Sequence, residues 1–118
     1  MTIYIKPSKV KGVILAPSSK SYIQRAIAVA LCSQGTCTIN GYTKNNDNET
    51  ALEIAKELGA SILVRKNKLI IDGITPSKKQ VAINCNEAGL SARMFAPVAS
   101  LLYKKVTING SGSLLNRP

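Results

Sequence analysis

Ser19-Lys20-Ser21-Tyr22-Ile23-Gln24-Arg25-Ala26 returns further along the chain as Glu87-Ala88-Gly89-Leu90-Ser91-Ala92-Arg93-Met94. The same four residues follow each copy, Thr38-Ile39-Asn40-Gly41 and then Thr107-Ile108-Asn109-Gly110. The two arginines stand 68 positions apart and the two strand ends 69 apart. A repeat of this kind marks supersecondary units that bury their apolar faces against one another. Each copy sets a turn of small residues, then a cation, at the start of an apolar helix, an arrangement suited to anions.

Reading outward, the first helix is expected from Ser19 to about Ser33. Ile23, Ile27, Ala30 and Leu31 follow helical spacing while Ala26, Ala28 and Val29 fill the other side, so the helix reads as buried all round. Gly35 ends it, and Cys37 to Asn40 makes a strand. The spacing predicts a second helix over Glu49 to Leu58, with Asn46 and Glu49 at capping-box separation and Gly59 at the C′ position. Ser61 to Arg65 and Lys68 to Asp72 read as a hairpin across Lys66-Asn67, and Gly73 to Gln80 as a loop. Val81 to Asn84 is the next strand, Ala88 to Leu102 a helix with a kink or break at Pro97, and Val106 to Asn109 a strand. Upstream, Ile3 to Ile5 and Val13 to Ala16 are β-rich runs read as two short strands. One repeat unit thus covers about residues 17–80 and a second begins near 81. The fold class is α/β, with helices within and sheets outside.

Composition narrows the function. A chain of 118 residues with 45% apolar content buries a core of its own. The net charge of +10 favours an anionic partner. With aromatics at only 4% and no Trp, the stacking platforms of single-strand nucleic-acid binders are scarce. Cys32, Cys37 and Cys85 lack metal-ligand spacing and the chain has no His, so no metal site is expected and the cysteines read as reduced thiols. No cofactor is implied. No apolar run approaches the ~20 residues of a membrane span, and the N-terminus carries no signal-type apolar region. The expected location is cytoplasmic.

Lys20 and Ser21 fall in the first turn of the first helix, where free N–H groups and the helix dipole favour negative charge. Arg25 follows Ser21 by four residues and projects from the same face. Its planar fork matches a carboxylate or phosphate. Gly89 lets a ligand or another backbone approach closely, and Arg93 repeats the logic of Arg25. Arg117 sits in the Gly- and Ser-rich tail. Of the four arginines, three fall at these sites. The same residues also read as an N-capping serine followed by solvated cations.

These motifs resemble a known family. Pro17-Ser18-Ser19-Lys20-Ser21 with Arg25 is similar to the N-terminal signature of EPSP synthase (3-phosphoshikimate 1-carboxyvinyltransferase). Glu87-Ala88-Gly89-Leu90-Ser91-Ala92-Arg93 resembles that family's Asn-Ala-Gly-Thr-Ala-Met-Arg motif, and Asn116-Arg117-Pro118 its Arg-Pro step. The resemblance implies an inside-out α/β prism of βαβαββ units, of which this chain is part of the N-terminal region, with the C-terminal domain absent. It implies transfer of the enolpyruvyl group of phosphoenolpyruvate to shikimate 3-phosphate, on the way to chorismate and the aromatic amino acids. By matching position, Ser21 and Arg25 hold shikimate 3-phosphate, Gly89 and Arg117 hold phosphoenolpyruvate, and Lys20 reaches both. Arg93 and Asp47 support the site.

Three residues depart from the family pattern. Glu87 replaces Asn, Leu90 replaces Thr, and Asn46-Asp47 keeps only one charge of an acidic pair. The first two bear on the phosphoenolpyruvate half and imply an altered response to glyphosate, which competes there. Family members are several times longer, and their acid/base groups come from the second domain. The expectation is therefore that the chain alone is inactive and that uncovered apolar surface favours self-association. The related UDP-N-acetylglucosamine enolpyruvyltransferase carries Lys-Asn where this chain has Lys20-Ser21. RNA 3′-terminal phosphate cyclase needs a histidine. A basic nucleic-acid-binding module would bind any oligonucleotide with strong salt dependence.

Overall fold

The computed structural model describes residues 1–76 and 79–117. The order is α1 Lys20–Cys32, β1 Thr36–Asn40, α2 Asn46–Glu57, β2 Ser61–Arg65, β3 Lys68–Asp72, β4 Gln80–Asn84, α3 Gly89–Leu102 and β5 Lys105–Asn109, followed by a 3-10 turn at Gly112–Asn116. Shifted by 69 positions, β1 falls on β5 and the first residue of α1 on that of α3. Ser77 and Lys78 of the predicted loop, and Pro118 of the third motif, lie outside the described residues.

β1 and β2 both pair antiparallel with β3, giving the order β1-β3-β2. β4 and β5 pair parallel, which requires a crossover, and α3 supplies it. The hairpin expected at Lys66-Asn67 is present, with Arg65 opposite Lys68. The helices pack on one another. α1 and α2 back the three-stranded sheet, and α2 and α3 back the pair. Ile27, Leu31, Ile54, Leu58, Leu69, Ile71, Ile83, Phe95 and Ala99 form one cluster between the layers, while the outer faces of the strands meet solvent. This is the inside-out arrangement, helices within and sheets without. Tyr103, at the end of α3, donates from its hydroxyl to the Leu58 carbonyl at 3.0 Å, tying the C-terminal ends of α2 and α3 together. Among the described residues no helix is long and apolar enough to cross a membrane.

Four expectations are corrected. Ile3 to Ile5 and Val13 to Ala16 form no strand. β-propensity yields a strand only where a neighbouring edge accepts its hydrogen bonds, and these runs lie extended and exposed. α1 is not buried all round. α2 and α3 cover one side, and Tyr22, Arg25, Val29 and Cys32 form an exposed stripe on the other, with Val29 70% exposed. α2 begins three residues before the predicted Glu49, and its cap is Asn45 rather than Asn46. The Asn45 side chain accepts from the Asn48 N–H at 3.0 Å. Asp47 and Glu49 in its first turn suit the helix dipole, so the polar run is a helix start. Finally, of the kink or break expected at Pro97, the break is absent, since α3 is continuous over Gly89–Leu102. The proline leaves only the Arg93 carbonyl without its N–H donor, on a side of the helix where Arg93 and Pro97 are both exposed.

Gly59 ends α2 as expected, with φ +90, and a Cβ there would stand 2.8 Å from the Thr75 carbonyl oxygen. Both the left-handed backbone and the backbone contact exclude a side chain. Gly59→Ala is expected to lower unfolding free energy in urea by more than about 1 kcal/mol, with helical circular dichroism of the folded state unchanged.

Candidate functional site

The first-turn N–H groups of a helix need partners from outside the helix. α2 is satisfied locally by Asn45 and by two carboxylates. α1 and α3 are not. Neither has a side-chain cap or an acidic residue in its first turn. Both starts open onto one cleft of about 410 Å³, lined by Lys20, Ser21, Gln24, Asp47, Glu87, Gly89, Leu90, Arg93, Ser113 and Arg117. A larger hollow of about 520 Å³ lies beside it. That one carries Asp47, Glu49, Glu53 and Glu87 and no cation, so it repels the anions that the first attracts.

Local structure explains how each group arrives. The loop before α2 is pinned by the Asn48 side chain, which donates to the Thr43 carbonyl at 2.9 Å, by a Ser18–Thr43 hydroxyl contact and by the Tyr42 hydroxyl donating to Glu49. Burial, with that same carboxylate, pushes the Tyr42 phenol well above its usual range. The pinned loop sets Asp47 against Lys20, Oδ2 to Nζ 2.7 Å. With the Lys20 side chain 63% exposed, such a pair contributes at most about 1 kcal/mol.

On the α3 side, Asn86 donates to the Thr50 hydroxyl at 2.9 Å and its carbonyl accepts from Ser111 N–H at 2.8 Å. These bonds fold the tail back over α3. Glu87 Oε2 then accepts from the Ser113 hydroxyl at 2.7 Å and its N–H at 3.2 Å. The Ser113 hydroxyl oxygen accepts from Arg117 Nη2 at 3.1 Å. This relay turns Arg117 onto Gly89, where a Cβ would stand 2.7 Å from Nη1. Gly89 is thus the opening through which the guanidinium reaches the helix start. The Ser113 hydroxyl, then its N–H, with the Arg117 charge adding, hold the Glu87 carboxyl below its ordinary value.

Of the residues singled out in the sequence, Lys20, Ser21, Asp47, Gly89, Arg93 and Arg117 line this one cleft. Arg25 does not. It stands exposed outside the lining, its Nη1 donating to the Ser21 carbonyl at 3.4 Å. Arg93 repeats that bond, Nε donating to the Gly89 carbonyl at 3.3 Å. Glu87 and Leu90, noted as departures, are also in the wall. Gln24 and Ser113 were missed. Gln24 carried a signal, a polar residue within the apolar stripe of Ile23, Ile27 and Leu31, whereas Ser113 carried none. Among the described residues no cluster of His, Cys, Asp or Glu is placed to hold a metal ion.

Two helix starts without side-chain caps and three cations meet over an inside-out α/β core, an arrangement whose chemistry suits polyanions. The EPSP synthase (3-phosphoshikimate 1-carboxyvinyltransferase) family profile matches residues 5–118. The 3-phosphoshikimate 1-carboxyvinyltransferase of Chlamydia caviae is 39% identical over 121 residues, covering 100% of this chain and 27% of the relative. That of Clostridium perfringens is 38% identical, covering 98% and 28%. A solved EPSP synthase from Acinetobacter baumannii superposes with a TM-score of 0.75 at 25% identity, over 91% of this chain and 25% of that one. The chain belongs to the EPSP synthase family. It spans about a quarter of the length of the curated relatives it matches.

Two outcomes are expected. Gly89→Ala keeps the fold, since only the end of the Arg117 side chain must move. Displacing Arg117 from the helix start removes a charge-assisted donor of about 1.5–3 kcal/mol, and affinity for inorganic phosphate is expected to fall roughly tenfold or more by calorimetry. Separately, the folded-state acidity of Glu87 lies below the ordinary 4.5, so its bond to Ser113 is at full strength above that value and is lost as pH falls through the lower folded value. The Ser113 amide should titrate with a midpoint below 4.5 in NMR spectra, and Glu87→Gln should abolish the transition; a midpoint at or above 4.5 contradicts the bond.

Proposed function

We propose that this chain forms the substrate-gathering part of a 3-phosphoshikimate 1-carboxyvinyltransferase, which transfers the enolpyruvyl group of phosphoenolpyruvate to the 5-hydroxyl of shikimate 3-phosphate and releases phosphate. The observation that carries the reading is the meeting of the bare N-terminal ends of α1 and α3 with Lys20, Arg93 and Arg117 in one cleft. Both substrates are multiply anionic, and binding them together needs more positive charge than a single helix start supplies. The cleft volume falls in the range of small-molecule sites.

In this reading Ser21 addresses shikimate 3-phosphate from α1, and Arg25, outside the cleft lining, reaches the ligand only by leaving the Ser21 carbonyl. Gly89 and Arg117 address phosphoenolpyruvate from α3, with Arg93 beside them. Lys20 leaves Asp47 to bridge the two ligands. The preset donors would also meet the charge that develops on the phosphate during transfer. In this reading neither carboxylate of the cleft serves as the general acid. Asp47 is paired with Lys20, and Glu87 accepts two hydrogen bonds from Ser113, so the reading assigns the proton-donating step to residues beyond this chain.

The test is titration of the isotope-labelled chain with shikimate 3-phosphate and with phosphoenolpyruvate, using shikimate, which keeps its carboxylate but lacks the phosphoryl group, as the control, followed by a phosphate-release assay. Saturable shifts at Ser21, Gly89, Arg93 and Arg117 with the phosphorylated ligands, weaker response to shikimate, and no phosphate release are expected. Equal response to all three ligands, or none, would sink the reading; turnover by the chain alone would overturn the assignment of the proton transfers.

A further inference from the structure

We infer that Gln24 is a further ligand-binding residue of this cleft, a neutral donor whose amide is oriented by the hydroxyl of Ser91; the inference rests on the anion-binding reading given above. Gln24 is only 1% exposed and Ser91 fully buried. They join α1 to α3 across 67 residues, Ser91 Oγ donating to Gln24 Oε1 at 3.0 Å. A buried glutamine must also satisfy its two Nε2 hydrogens. Among the described residues no protein group accepts them. Yet the sole sealed side-chain polar atom without a partner among those residues is Asn48 Oδ1. Nε2 therefore keeps contact with solvent, and the space that Gln24 borders is the cleft between Lys20, Gly89 and Arg93.

The chemistry follows from the orientation. An amide has one donating end and one accepting end, and here the accepting end, Oε1, takes the Ser91 hydroxyl. The N–H pair is left for the cleft that Gln24 lines. That adds a donor to a phosphate or carboxylate oxygen without adding charge, from a side chain only 1% exposed. Ser91 acts through Gln24 and is a positioning residue.

The experiment uses the isotope-labelled 118-residue chain and two probes, inorganic phosphate and phosphoenolpyruvate, and follows the side-chain NH₂ of Gln24 beside the Nε–H signals of Arg93 and Arg117. Saturable shifts of the Gln24 pair, with the same midpoint as the arginines, are expected. Gln24→Met, similar in size but without donors, should weaken phosphate binding about three- to tenfold. Ser91→Ala should produce a smaller loss that Ser91→Thr restores. If the arginines respond while the Gln24 amide stays silent, the inference falls and the reading of the cleft stands. If none responds, both fall. The wild-type titration decides this even where a variant fails to fold.

Discussion

Two helices that aim their positive ends at the same small space repel each other, and the rest of this structure is arranged around holding them there. The starts of α1 and α3 face one cleft with Lys20, Arg93 and Arg117 around it. What opposes the repulsion is apolar. Ile27 on α1 and Phe95 on α3 are fully buried in a cluster shared with α2 and both sheets, and each such side chain contributes about 1.5–3 kcal/mol. Dipole terms at a solvated helix end amount to about 0.3–1 kcal/mol. Packing outweighs repulsion, and the concentration of positive charge persists because the core enforces it.

The acids near the cleft moderate that charge without cancelling it. Asp47 shares Lys20 through an exposed pair, and Glu87 meets Arg117 through the intervening Ser113 hydroxyl. Both arrangements are solvent-facing, so each offsets like-charge repulsion around the cleft and is cheaply given up. Glu87 also closes the tail onto α3. The carboxylate that looked out of place in an anion site is in this structure the group that brings the third cation in.

Features set by local backbone rules were legible in the sequence. The hairpin at Lys66-Asn67, the stop at Gly59 and the helix–strand repeat are such features. Features set by partners were not. Nothing in Val13-Ile14-Leu15 says whether an edge will accept it. The choice of Asn45 over Asn46 as cap depends on a bond to the Asn48 N–H and on a side-chain bond to the Thr43 carbonyl. For the site, helix starts and cations could be listed from spacing, because N-terminal turns have a recognisable chemistry. That Arg25 would stand outside the lining while Arg93 stands inside it follows from the neighbours of each helix, and both arginines make the same bond four residues back.

Lys20 opens the first helix and Arg117 lies at the far end of the described chain, yet both line one cleft. A ligand that engages both therefore closes a loop containing nearly every element of the fold. Its binding energy adds to the energy that holds the polypeptide together, by the logarithm of its concentration over its dissociation constant. The saturated chain resists opening of the tail or of α1, since either movement releases the ligand as well. A ligand of such a site is also its fastening, and the chain saturated with it stays folded where its own contacts alone would let it open.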